Sequence, residues 1–309
     1  MKNNITRRRN PRRVINAINI NNEIELLEIR VHELKDVVDV FLICESSYTT
    51  FGEKKPLRLL ERLHGGFLKE FQHKFLYVFL DHFPPGGYKN GWIADDYLRT
   101  YLSKEGLKRL NGLKQDDLFI LNDADEIPRA DDVIFLKFYD GFGEPISLWY
   151  RWNLYGFFWQ NKIPAIKLST ICTVGFLQQA YDNDAILLRR RPKIISPKML
   201  KSTSFIQRYR PWSIGSSSET SGWHCSWCFP LKEFPIKLRS AQSDDGPRWG
   251  DYPEKYNLKY IKHLIKTGLW FDNRKVTVLV NVTTTNHAPS YVLKNFKKLK
   301  FLIFNPYRN

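Results

Sequence analysis

Residues 12–44 constrain the fold more than any other stretch. An extended segment over residues 12–19 leads into residues 23–34, where Ile24, Leu27, Val31 and Leu34 recur at the spacing of one helical face. Residues 37–44, Val-Val-Asp-Val-Phe-Leu-Ile-Cys, are a near-continuous apolar run, the pattern of a strand buried on both faces. Strand, amphipathic helix and strand joined this closely make a βαβ unit, which demands a parallel sheet. A third buried strand is expected over residues 74–80. The fold class is therefore α/β, a Rossmann-like mixed but mainly parallel sheet with flanking helices.

Residues 117–128, Asp-Leu-Phe-Ile-Leu-Asn-Asp-Ala-Asp-Glu-Ile-Pro, carry the chemistry. Residues 118–121 suffice for one buried strand, which ends abruptly in Asn122, Asp123, Asp125 and Glu126. In open α/β sheets, ligands bind outside the carboxyl ends of the strands. Asp-x-Asp on an extended segment sets both carboxylates on one side. Hard cations such as Mg²⁺ or Mn²⁺ take a few carboxylates and leave the remaining positions to phosphate oxygens and water. Asp123 and Asp125 are thus expected to bridge a metal to a diphosphate. The alternative is a solvated turn followed by an acidic helix N-terminus, with Pro128 in the first helical position.

Charge agrees with an anionic ligand: 48 Lys and Arg against 32 Asp and Glu leave a net charge of +16. The basic residues crowd at positions 7–13, 189–201 and 294–300 without the interleaved aromatics of an RNA-binding surface, which argues against nucleic acid. No apolar run approaches the ~20 residues of a membrane span. Residues 1–13 lack the apolar core of a signal peptide, so the chain is expected either to start without its targeting segment or to work where it is made. Cys44, Cys172, Cys225 and Cys228 are too few for a disulfide scaffold. Cys225-x-x-Cys228 beside His224 invites a zinc site, but no second ligand pair follows, so buried thiols or one disulfide are expected. The sequons at Asn4 and Asn281 matter only in a secretory lumen.

Further along, Pro84-Pro85-Gly86-Gly87 marks a turn. Residues 92–110 read as a helix with Asp96 and Arg99 on one face, either a surface ion pair or, facing a cleft, contacts to sugar and phosphate. A short helix over 131–138 and antiparallel strands over 146–159 and 165–174 follow. Residues 189–204 read as a mobile basic surface segment, and helices near 255–267 and 291–300 close the chain. The organisation is a basic tail, 1–11, and one domain, 12–309, with a donor-binding half to about residue 140 and an acceptor-side half from 141.

Residues 37–51, 79–99, 123–128, 222–229 and 247–252 together resemble glycosyltransferase family 17. The likeness runs from about residue 11 to 307 and thins over 189–204 and 277–286. It implies a nucleotide-diphosphate-sugar transferase fold of the A type and an inverting, Mn²⁺-dependent transfer. GlcNAc would pass from UDP-GlcNAc to the core β-mannose of an N-glycan in β-1,4 linkage. It also implies a Golgi enzyme with a lumenal catalytic part, held by a membrane anchor that the basic N-terminus of this chain does not match. Asp123, Asp125 and His224 are then the expected metal ligands, His224 having a hydrogen-bonded core role as its alternative. Glu45, Asp96, Arg99 and Asp123 are the expected contacts to the UDP-sugar.

Inversion needs a carboxylate base near the acceptor hydroxyl. Glu144, Asp182, Asp184, Asp244, Asp245 and Asp251 are available, and Asp245 and Asp251 are favoured because they flank Trp249, which could stack on an acceptor sugar. Three rivals remain: the same fold acting on another donor or acceptor, a glycan-binding relative without turnover, and a two-metal nuclease. The intact acids at positions 123, 125 and 126 argue against the second, and the third predicts salt-sensitive nucleic-acid binding.

Overall fold

The computed structural model describes residues 5–193, 209–242 and 247–308. The chain opens with β1 (Thr6–Arg7), β2 (Val14–Ile20), α1 (Ile24–Leu34), β3 (Val40–Ser46), α2 (Arg58–His64) and β4 (Phe75–Leu80). There follow α3 (Gly91–Lys108), β5 (Leu118–Asp123), β6 (Glu126–Pro128), α4 (Ala130–Phe138) and β7 (Tyr139–Asp140). The long strands β8 (Glu144–Leu154) and β9 (Trp159–Thr173) lead to α5 (Val174–Tyr181) and α6 (Ala185–Arg190). The remainder is β10 (Tyr209–Ile214), β11 (Gly222–Ser226), α7 (Phe234–Ser240), α8 (Leu258–Thr267), β12 (Thr277–Leu279), α9 (Ser290–Lys294) and α10 (Phe296–Ile303).

Ten strands share one sheet in the order β4-β3-β2-β5-β9-β8-β11-β6, with β10 on β8 and β12 on β9. The first four are parallel, as the βαβ pattern requires. Alternation sorts their side chains between two faces. Val14, Ile18 and Ile43 pack under Leu27, Val31 and Leu34 of α1, while Ile15, Ala17 and Leu42 pack under Leu102 and Leu107 of α3. A third, aromatic cluster joins Tyr155, Phe158, Trp159, Trp223 and Phe234 to α8 and α10. Because β3 lies on one side of β2 and β5 on the other, the strand order reverses between the carboxyl ends of β2 and β5, the place where such sheets open a crevice.

Several expectations need correction. Val37 and Val38 are buried but belong to the turn after α1, whose amides bond back to Leu34, so β3 begins later than its apolar run. Residues 126–128 form a strand against β11 and not a helix start, because their backbone groups find a ladder there. The closing helix breaks at Asn295 into α9 and α10. The basic tail is docked from β1 onward: β1 pairs with β7, and Arg8 bonds Asp140 at 2.8 Å. Most of the basic segment 189–204 lies outside the described residues, and its described start is the end of α6.

Candidate active site

The crevice is built around a buried arginine. Arg30 of α1 is fully buried and reaches beneath the end of β5. Its guanidinium donates to the carbonyls of Asp123 at 2.7 Å, Ala124 at 3.3 Å and Glu126 at 2.5 Å, and to Asn16 Oδ1 at 3.1 Å and Asn122 Oδ1 at 3.3 Å. Asn122 in turn donates to the Tyr150 hydroxyl at 2.9 Å. Burial pushes the Arg30 pKa down to about 10, so it stays charged at neutral pH. The chain therefore turns at Ala124 and Asp125 with its carbonyls held below, and β6 runs on to pair with β11. Gly222 permits that approach, since a Cβ there would meet the Ile127 carbonyl at 2.5 Å.

The two aspartates flank the turn and have different partners. Asp123 accepts from Arg99 at 2.6 and 3.1 Å and from Arg189 at 3.3 Å, and Arg99 is itself anchored by Asp95 at 2.8 Å. Burial pushes the Asp123 carboxyl up, but the two arginines outweigh it and hold it well below the ordinary carboxylate range. Glu126 is fully buried, is bonded by Arg189 and accepts from the Asp123 amide at 3.1 Å.

Asp125 lines the same cleft as Asp123 and lies beside His224. Burial raises its pKa, against the smaller opposing pull of His224 and Lys237. His224 stands on β11 in register with Glu126, and its Nε2 bonds Ser226 Oγ at 2.7 Å. Its Nδ1 is buried without a hydrogen-bond partner among the described residues, 3.8 Å from Asp125 Oδ1 and 3.7 Å from Glu126 Oε1. In the tautomer whose Nε2–H donates to Ser226, Nδ1 presents a lone pair, the usual way an outer partner prepares a ligating imidazole. One potential ligand atom each from Asp125, Glu126 and His224 lies within 4.8 Å of the others, a donor set that suits a divalent cation. This cluster contains Asp125 and His224 of the expected ligands and adds Glu126, while Asp123 is ion-paired with Arg99 and Arg189, and Arg189 also bonds Glu126. Cys225 and Cys228 form a disulfide immediately after His224, which removes them from any zinc site.

These groups border a cleft of 270 Å³ whose wall includes Asn19, Lys55, Arg99, Asp125, His224 and Lys237. Arg99 borders the cleft. Asp96 does not line it, accepting instead from Arg190 at 2.6 Å, and Asp95 is the carboxylate of α3 that turns inward. Glu45 is also displaced from its expected role. Fully buried, it accepts from the amides of Leu59 at 2.9 Å and Leu60 at 3.1 Å and from the Tyr77 hydroxyl at 2.7 Å, so it caps α2. Glu45→Ala is expected to lower stability by about 1–2 kcal/mol. Urea unfolding reads that loss, and nucleotide affinity should stay unchanged; weaker nucleotide binding at full stability would restore the uridine role.

Among the base candidates, Asp251 is paired with Arg248 and does not line the cleft. Trp249 stacks on Phe271 at 6.1 Å within the aromatic cluster, so that ring face is not free for an acceptor sugar. Asp244 and Asp245 lie outside the described residues. Glu144 accepts from the Thr173 amide, Asp184 from Thr100 at 2.7 Å, and Asp182 is 3.6 Å from Lys104, all away from the cleft wall.

Arg30, Asp95, Arg189 and Lys237 join the site without having been singled out in the sequence. For Arg30 a signal exists: Leu26, Leu27 and Leu34, its i−4, i−3 and i+4 neighbours, put it within the apolar stripe of this amphipathic helix, which carries the cation into the core.

The profile of glycosyltransferase family 17 matches residues 2–172. Proteins named β-1,4-mannosyl-glycoprotein 4-β-N-acetylglucosaminyltransferase from Rattus norvegicus, Mus musculus and Homo sapiens are each 49% identical over 300 residues. The alignments cover 96% of this chain and 56% of each relative, so the chain spans little more than half their length. Among the described residues, no helix is long and apolar enough to cross a membrane.

Proposed function

The chain belongs to glycosyltransferase family 17, and we propose that it moves GlcNAc from UDP-GlcNAc to the core β-mannose of N-glycans in β-1,4 linkage, with inversion and with Mn²⁺. The observation that carries this reading is the meeting of Asp125, Glu126 and His224 where the order of a parallel sheet reverses. The relatives' names supply the transferred N-acetylglucosaminyl group and a β-1,4-mannosyl-glycoprotein as acceptor. Action on N-glycans places the work in a secretory compartment such as the Golgi.

Asp125, Glu126 and His224 would hold the cation, which when bound offsets the charge that gathers on the departing diphosphate. The protein's own part is positioning. Arg99 is held by Asp95 and Asp123 and so would meet a phosphate without first losing side-chain freedom. Lys237, fixed by Glu23 at 2.5 Å, brings a second cation to the same wall. Asp245 is proposed as the base that takes the proton of the acceptor hydroxyl, on the ground that Ser240, Ala241 and Gln242 just before it line the cleft.

Incubation with UDP-[³H]GlcNAc, Mn²⁺ and a biantennary N-glycan, followed by linkage analysis, tests the reading. A β-1,4 bisecting product is expected. Transfer to a different sugar would leave the fold's chemistry and change the acceptor, and no transfer to any glycan would sink the proposal. His224→Ala should weaken Mn²⁺ binding about tenfold or more. A spin-resonance titration measures this, and unchanged affinity would return His224 to a core role.

A further inference from the structure

Ile127, Trp223 and Arg151 stand in register across β6, β11 and β8, one residue along from Glu126, His224 and Trp152. Alternation turns them to the sheet face opposite the metal donors. Ile127 and Trp223 are buried there in the aromatic cluster. Arg151 lines a second cavity, of 630 Å³ against 270 Å³ for the cleft, whose wall also includes Arg129, Glu219, Thr220, Asn286 and His287. The two spaces share no lining residue, and the transfer reaction uses none of this second wall.

The two arginines of the cavity differ in their company. Arg129 lies 4.7 Å over the Trp223 ring and donates to the Thr220 carbonyl at 2.8 Å and to Asn286 Oδ1 at 3.4 Å. Burial lowers its pKa, and Asp132, Glu33, Asp131 and Glu219 pull it back up. Arg151 has no such support: burial and the charge of Arg129 both lower its pKa, and no described carboxylate opposes them. Its one hydrogen-bond partner among the described residues is the Gln160 carboxamide oxygen, and its Nε is buried without any. Beside it, burial first and then the Arg151 charge hold the His287 imidazole below its ordinary value, so that ring is neutral at pH 7. A half-buried guanidinium without a counter-ion carries a desolvation cost that nothing in the fold offsets.

We propose that this cavity binds a sugar acid, a hydroxylated ring carrying one carboxylate, with the carboxylate seated on Arg151. A guanidinium meets a carboxylate in two parallel charge-assisted hydrogen bonds. Thr220, Asn286 and the neutral His287 offer donors and acceptors to ring hydroxyls. Asp131, Asp132 and Glu219, at the Arg129 end, disfavour a doubly charged phosphate, so a ligand with a single negative charge fits better. The volume falls within the range of about 300–1,000 Å³ common to small-ligand sites. Nothing in this assignment depends on the transferase reading.

Calorimetric titration of the full chain with glucuronate, N-acetylneuraminate, glucose and inorganic phosphate tests it, for the wild type, Arg151→Leu and Arg151→Lys. The wild type should bind at least one of the two sugar acids about tenfold or more tighter than glucose. Arg151→Leu should weaken that binding about tenfold or more, and Arg151→Lys, which keeps the charge without the fork, about threefold. Phosphate held at the cleft should keep its affinity in both variants. The melting temperature of Arg151→Leu should equal or exceed that of the wild type, whereas an arginine serving only the fold would lower it. Sugar-acid affinity unchanged in Arg151→Leu, or in Arg151→Lys should the first variant not fold, would overturn the site. So would a wild type that binds neither sugar acid better than glucose. A phosphate loss in Arg151→Leu as large as that of the sugar acids would overturn the choice of ligand.

Discussion

Asp125→Asn is expected to lower the rate of transfer about a thousandfold while the protein stays folded, a loss of the size seen when one charge-stabilising group is removed from a reaction centre. Asp125 is the carboxylate of the turn that faces His224, and the amide keeps its volume but removes the negative charge that a cation needs. Stability should not suffer. Burial holds the folded-state pKa of Asp125 above its ordinary value, so its contribution to stability is present at low pH and lost as pH rises through the folded pKa. At neutral pH its ionised form therefore opposes folding, and the amide is expected to leave the melting temperature unchanged or raise it. Steady-state kinetics with a melting curve decide the matter. Near-normal turnover in a folded protein would remove Asp125 from the metal set.

Arg30→Met is the change with the largest expected effect on the fold, a loss of about 3–5 kcal/mol. Methionine fills much of the space of the arginine stem and restores none of its bonds to the turn and to the two asparagines. The carbonyls of Asp123, Ala124 and Glu126 would then lie buried without the cation that now gathers them. Since Asp125 sits inside that turn, any folded fraction should also bind Mn²⁺ less tightly. Urea unfolding and the metal titration read the two effects separately. Unchanged stability would show that the β6–β11 ladder alone holds the turn.

The parallel half of the sheet was legible because its signals are local. The apolar runs of β3, β4 and β5 and the four-residue spacing in α1 each describe one element, and each element formed. Where an apolar run continued into a turn, as at Val37 and Val38, the boundary moved, because burial in a turn and burial in a strand look alike in composition. The acidic cluster was likewise legible as carboxylates gathered after a buried strand. Its internal division was not, since Asp-x-Asp reads the same on a strand and across a turn.

Glu45 and Arg189 show what pattern could not reach. Glu45 follows a buried strand just as Asp123 does, yet the start of α2 falls where both of its oxygens are consumed by helix amides. Arg189 belongs to a stretch that composition marks as surface, yet α6 brings it between Asp123 and Glu126.

By itself the sequence determined the α/β class, the parallel direction of the first strands and the acids at 123, 125 and 126 after a buried strand, because periodicity and residue type are properties of short segments; His224 was singled out through the family resemblance. Only the tertiary structure decided that Arg30 lies under the turn, that two arginines take Asp123, that Glu126 lies beside Asp125 and His224, and that Asn19 lines the cleft. Those outcomes depend on residues that meet across the chain, 24 positions apart for Arg99 and Asp123, 66 for Arg189 and Asp123 and 93 for Arg30 and Asp123, and no local spacing encodes such a meeting.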